Sequence, residues 1–535
     1  MTEAEQFRQV AGAALDDLLA DNPERATDVG DHRFDDRLTD RTVEGRRAAR
    51  DRAAAHRSAL AAVDTTALDP EDAVDATVLA GVLDREVFAI DELAEHTWNP
   101  LAYNLGEALH PLLTREVPAL PDRLRSIAAR LDAFTDVVAT ARRQLVRPPH
   151  VHVETALLQH AGTVGMVRDE VSRLLAGEPG LRGVVEPAQQ RALAALAEHE
   201  EHLRELIEGE HRDFRLGADR FDRKLRLTLQ SPLSPADVLS RAQASLAEVT
   251  EQLYAVARDH LGRGGEPAEI IRTALDDVAR DHPDDTTIVG AARQALADCT
   301  DAVRRLGIVT IPDDPVRVEV MPEFRRGVAV AYCDPPGPLE PVGTTSFAIS
   351  PTPADWSPER VASFYREYNS AMVVDLAVHE AMPGHVLQLA TARRFAGSTP
   401  LRAAYWSGSS VEGWAVHAER IMAEAGHGGT PVRLQQLKMQ LRMTINAILD
   451  AGVHAGELAE AEALDLMTRR GFQEEGEAVG KWRRARLTSA QLSTYFVGYT
   501  ELADLFADLG SLSSYDAVLA HGSPPPAQLR RLLLP

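Results

Sequence analysis

The sequence predicts a mainly α-helical chain interrupted once by a small antiparallel sheet. Before residue 306, apolar residues recur at three- and four-residue steps between short breaks. Short β-branched runs punctuated by Pro and Gly follow. Helical periodicity then returns and holds to the end. A chain of 535 residues that is 44% hydrophobic can bury a large core, and its length suits more than one lobe.

In the first half, VEPAQQRALAALAEHEEHLRELIEGEH (185–211) and SPADVLSRAQASLAEVTEQLYAVARDHL (234–261) have helical spacing, with Ser234 and Pro235 as N-cap and first-turn residue. The runs GIVTIP (307–312), VRVEVMP (316–322), GVAVAYCDPP (327–336) and GTTSFAISP (343–351) read as strands, and 343–350 is the candidate sheet edge. From WSPER (356–360) a helix start at Ser357, Pro358 and Glu359 leads into spacing that continues to residue 380, placing His379 and Glu380 well inside a helix. No repeat or Gly/Ser-rich linker separates domains. The expected organisation is therefore a helical lobe over 1–305 and a second lobe over 306–535 that carries the sheet, the two sharing one cleft.

The formal charge of −24, from 81 acidic against 57 basic residues, argues against nucleic acid or an anionic membrane as partner. The N-terminal stretch carries acids throughout and no long apolar run, which predicts neither secretory signal nor transmembrane helix and hence a cytoplasmic protein. Two cysteines, Cys299 and Cys333, are too few for a disulfide framework.

The stretch VHEAMPGHVLQ (378–388) is nearly an H-E-x-x-H zinc helix. His385, however, lies six residues after His379, roughly 240° around a regular helix, so one metal could not take both. Pro383 also removes a backbone donor and presses on the carbonyl of His379. A bulge at Met382–Gly384, with Gly384 in a conformation closed to other residues, would bring His385 back to the face of His379. A sheet followed by a His-Glu helix is the arrangement a zincin needs. Downstream, Glu412 and Glu419 are seven residues apart and face one way, so one could bind a metal while the other orients a histidine. Arg442, Asn446, Asp450 and His454 form a polar stripe on an otherwise apolar helix, suited equally to an internal network or to a cleft. His150 and His152 would share a face if their segment were extended, though no motif supports a chelate there.

HEAMPGH with Gln388, VEGWAVHAE (411–419) and STYFVGY (493–499) resemble the H-E-x-x-P-G-H-x-x-Q, E-G-W-A-x-x-x-E and Tyr-x-x-Gly signatures of the bacterial domain of unknown function 885. VGDHRFDDRLTD (29–40) and FRLGADRFDRKL (214–225) extend the resemblance over most of the chain. It implies a mostly helical, zincin-like fold of the gluzincin type, related to metallocarboxypeptidases and dipeptidases. It favours Glu412 as third ligand beside His379 and His385, with Glu419 behind a histidine. It also favours Tyr495 over Tyr499 as oxyanion donor, and a cleft position for His454, with Asp450 and Arg442 nearby. The expected protein is a hydrolase holding one zinc ion per chain, with Glu380 as general base, acting on a small peptide or related amide. A specialised amidase or hydrazide hydrolase and a metal-free binding scaffold of the same fold are the alternatives.

Overall fold

A computed structural model describes residues 2–321, 330–340, 343–510 and 514–534. It divides into two compact units. One comprises 1–214 with 336–343 and 396–405; the other comprises 215–335, 344–395 and 406–535. The division falls after Phe214 instead of near residue 305. The physical reason lies in the helices that follow: Phe221, Leu225, Val238 and Ala242 pack with Met443, Ala447 and Phe496, so the segment from 215 joins the second unit's core.

The first unit is helical, around a core that includes Leu109, Ile127, Phe134 and Val167. Its two returning segments are tied by polar contacts. Leu339 N donates to Val29 O at 2.8 Å. Thr399 Oγ1 donates to Asp75 at 2.8 Å, and Arg402 pairs with the same buried carboxylate. Residues 185–207 of the 185–211 stretch lie in the helix Arg182–Ile207, as their periodicity requires, and 208–211 lie beyond its end. His150 and His152 belong to the helix His150–Gly165, not to an extended segment. Two residues apart on a helix, they point roughly 200° from each other, and His152 packs edge-on against Trp98.

In the second unit, Ser234 caps Pro235–Leu261 through a reciprocal box with Asp237. The sheet has three strands, β1 (Val316–Val320), β2 (Ala331–Asp334) and β3 (Thr345–Ile349), in the order β1-β3-β2. It is mixed, not antiparallel: β3 runs parallel to β1 and antiparallel to β2. The segment expected at the edge is therefore central, which explains why Phe347, Ala348 and Ile349 are all buried. The run 307–312 forms no strand; Ile308 and Val309 instead fill the core. Residues 322 and 327–329 of the expected strand runs lie outside the described residues.

The helix expected across 358–380 is two helices, Pro358–Glu367 and Ser370–Glu380. Asn369 breaks the spacing because its side chain accepts from Met372 N and caps the second helix. His379 and Glu380 thus end a helix instead of lying within one. Among the described residues no helix is long and apolar enough to cross a membrane.

Candidate metal centre

Past His379 the backbone bonds lengthen in register. Ala381 N still bonds Ala377 O, four residues back, but Met382 N reaches the same oxygen from five and Gly384 N reaches Val378 O from six. Two surplus residues are absorbed in this way, and a new helix, His385–Ala392, starts at once. Trp414 Nε1 pins the bulge by donating to Pro383 O at 2.8 Å. Gly384 has φ −72°, so its dihedrals are not those of the left-handed region. What excludes other residues is space: a Cβ there would lie 1.8 Å from His379 O and 2.3 Å from Val378 O.

The two imidazoles consequently meet edge to face, 4.8 Å between ring centres. Glu412 Oε2 lies 3.6 Å from His379 Nε2 and 3.5 Å from His385 Nε2. These spacings are long for hydrogen bonds, and Glu412 Oε2, although buried, has no hydrogen-bond partner among the described residues. They match the edge of about 3.4 Å that a tetrahedron with metal–ligand bonds of about 2.0–2.1 Å would have. His379, His385 and Glu412 are the group of three metal-ligating side chains among the described residues whose donor atoms all fall within 4.8 Å of one another. The residues present thus fit a metal ion.

On its other side His379 Nδ1 meets Glu419 Oε1 at 2.5 Å, the usual carboxylate backing of a ligand histidine. Burial alone would lower the pKa of His379, but Glu412 and Glu419 outweigh it and hold the imidazole well above its ordinary range. Burial raises that of Glu412, and the two histidines more than reverse this. Sequence reasoning missed Asp375, one turn before His379, buried, with Oδ1 unpartnered among the described residues. Burial, then the charge of Glu419, pushes its carboxyl well above the usual range. An acid at that spacing in the apolar run MVVDLAVHE was the available signal.

Glu380 projects from the end of its helix without a hydrogen-bond partner among the described residues, and its charge acts on His379, Glu419 and Cys333 of β2. Gln388 is buried and donates to Ser410 O at 3.1 Å, tying the second histidine's helix to the helix Gly408–Glu424 that carries both glutamates. That helix crosses Ser493–Leu509 at glycines on both sides. A Cβ on Gly413 would be 2.3 Å from Gly498 C, and one on Gly498 would be 1.9 Å from Ser409 O. Backbone contact here explains why the two motifs contain glycine, and it brings Tyr495 within the field of Glu412. Burial, then Glu412, raises the phenol's pKa, against the guanidinium of Arg484, whose Nη2 donates to its hydroxyl at 3.3 Å.

The remaining predicted residues are not brought to this cluster. Tyr499 accepts from Gln440 Nε2 at 3.2 Å within the core. Asp450 accepts from Ala490 N, Ser493 N and Ser493 Oγ, fixing the start of the tyrosine helix. His454 Nε2 lies 2.9 and 2.7 Å from the carbonyls of Ala485 and Thr488, and its ring stacks on Phe221. Arg442 pairs with Glu477. Arg442, Asp450 and His454 thus form an internal network with partners in the adjoining helices and loop, whereas the buried Asn446 Oδ1 has no hydrogen-bond partner among the described residues.

A solved structure from Shewanella oneidensis, described as a lipoprotein of unknown function, is 27% identical and has a TM-score of 0.84, with 99% of this chain and 100% of that one covered. Another, described as a lipoprotein from Colwellia psychrerythraea, is 17% identical with a TM-score of 0.83, covering 100% and 99%. An M32 carboxypeptidase from Deinococcus radiodurans aligns over 99% and 94% at 12% identity, but its TM-score of 0.40 is too low to carry an argument. No curated protein matches. The lipoprotein description of the Shewanella structure overturns the cytoplasmic expectation. The described residues support a mainly helical fold with a small mixed sheet, and with a match over residues 23–533 the chain belongs to the family described as bacterial protein of unknown function (DUF885).

Proposed function

We propose that the chain is a zinc-dependent hydrolase of a peptide or related amide bond. The observation that carries the reading is the convergence of His379, His385 and Glu412 across an interrupted helix, with Glu419 behind the first histidine. Two imidazoles and a carboxylate are a donor set suited to zinc. When bound, such an ion supplies Lewis acidity to a scissile carbonyl and to an attacking water. Glu380 then takes the water's proton on its carboxylate and returns it to the leaving amine. Tyr495, its phenol kept protonated by burial and by Glu412, donates from Oη to the developing oxyanion. Strand β2, next to Glu380 and paired only with β3 among the described residues, offers an edge for an extended substrate.

Elemental analysis of protein purified without chelator should find about one zinc per chain, and a panel of blocked and free peptides should contain a substrate. Folded, metal-free protein that gains no activity from added zinc would leave a binding scaffold as the better reading. The lipoprotein descriptions of similar structures make an exported location the one to test, by fractionating cells that express the full natural gene.

A further inference from the structure

Helix Glu475–Leu487 places Glu477, Lys481 and Arg484 on one face, at steps of four and three residues. Lys481 is 7% exposed, yet among the described residues its ammonium has neither an ion pair nor a hydrogen bond. The acids around it are committed elsewhere. Glu477, one turn earlier, is turned to Arg442 and accepts from Tyr368 Oη at 3.0 Å. Glu367 accepts from Lys438 Nζ at 2.8 Å and from Glu474 N at 3.0 Å. With those two pairs formed, Lys481 and Arg484 remain as cations in excess.

A buried ammonium without a counter-ion is costly, so a chain that retains one is expected to have a use for it. Burial foremost, then Arg442 and Arg484, drives the pKa of Lys481 well below its ordinary value, a strain that an arriving anion would relieve. Arg484 is less buried than Lys481, and it is the link to the metal centre: its Nη2 donates to Tyr495 Oη and to Gln491 Oε1. Tyr495 in turn feels the charge of Glu412. The buried Tyr368, Met372 and Leu376 lie close by on the helices leading to Glu380, and their apolar bulk strengthens any charge interaction made there.

We propose that Lys481 and Arg484 seat a carboxylate of the substrate, so that the hydrolysed bond stands close to a free acid, either a peptide C terminus or an acidic side chain. This rests on the hydrolase reading but is testable apart from it. Calorimetric titration of the full chain with N-acetyl-L-leucine and with its amide reads the seat without turnover. The acid should bind at least about tenfold more tightly, a difference of about 1.4 kcal/mol, and in Lys481→Met the gap should shrink to threefold or less. The α-amide of N-acetylglutamic acid, which keeps only the side-chain carboxylate, tells the two sources apart. Lys481→Met should also unfold at a temperature no lower than the parent, because an unpartnered charge is exchanged for an apolar chain of similar length. Equal binding of acid and amide, an undiminished gap in Lys481→Met, or a variant that folds poorly would each overturn the seat. Acid-selective binding without cleavage of any peptide would uphold the seat and count against the hydrolase.

Discussion

Each unit of the chain buries a cluster of histidines, and the clusters behave in opposite ways. In the first unit His160, His199 and His202 are between 4 and 8% exposed, and the rings of His160 and His199 stand 5.7 Å apart. Carboxylates there stay at the margin: Glu205 is 3.5 Å from His202. Burial, unopposed, lowers the pKa of His199 to about 3, helped by the neighbouring histidines. In the second unit the side chain of His379 is 12% exposed, and two carboxylates grip it and raise its pKa. A buried imidazole without acids is a neutral packing group; one between two acids is a charged or metal-bound group.

The largest effect should come from breaking the second cluster. Glu412→Ala or His385→Ala should reduce bound metal from about one ion per chain to none, while Glu419→Ala weakens binding by about 10–100-fold without abolishing it. Retention of zinc by Glu412→Ala together with its loss in Glu419→Ala would exchange their roles. Glu380→Gln should keep metal and fold but lose at least about two orders of magnitude in kcat, as expected for a general base; unaltered kcat would mean that the water is activated by another group. Gly498→Val should lower stability by several kcal/mol, on the order of 3 or more, because the added carbons meet backbone that cannot yield. Thermal unfolding reads this, and a midpoint equal to the parent's would contradict the close crossing of the two helices.

The smallest effect sharpens the comparison from the first unit. Between pH 6.5 and about 3, unfolded His199 takes a proton that the folded protein refuses. Stability is therefore untouched above pH 6.5 and falls as pH drops, by at most about 1.4 kcal/mol per unit for this residue. Urea midpoints at pH 7 and pH 5 should diverge less in His199→Phe than in the parent. An equal divergence would show that His199 does not set the acid sensitivity.

The structure also shows how polar stripes on apolar helices can mislead. Arg442, Asp450 and His454 had the spacing of a site and are occupied by Glu477, the 490–493 backbone and the carbonyls of Ala485 and Thr488. Glu412 and Glu419 had comparable spacing and converge on His379. Periodicity specifies which residues share a face, but not what that face meets.

Read alone, the sequence determined the helical character, the sheet's approximate place and the need for a broken helix after His379. These are local matters: periodicity, β-branched runs and the geometric conflict created by Pro383 act over a few residues. The tertiary structure decided the rest. It assigned residues 215–305 to the second unit, made 345–349 the central strand, and set Asp375 behind the candidate metal centre. It also left Lys481 without a counter-ion among the described residues. Each depends on which of several equally apolar or equally charged surfaces meet after the chain has folded back over tens to hundreds of residues, and pairing at that range leaves no mark in local spacing.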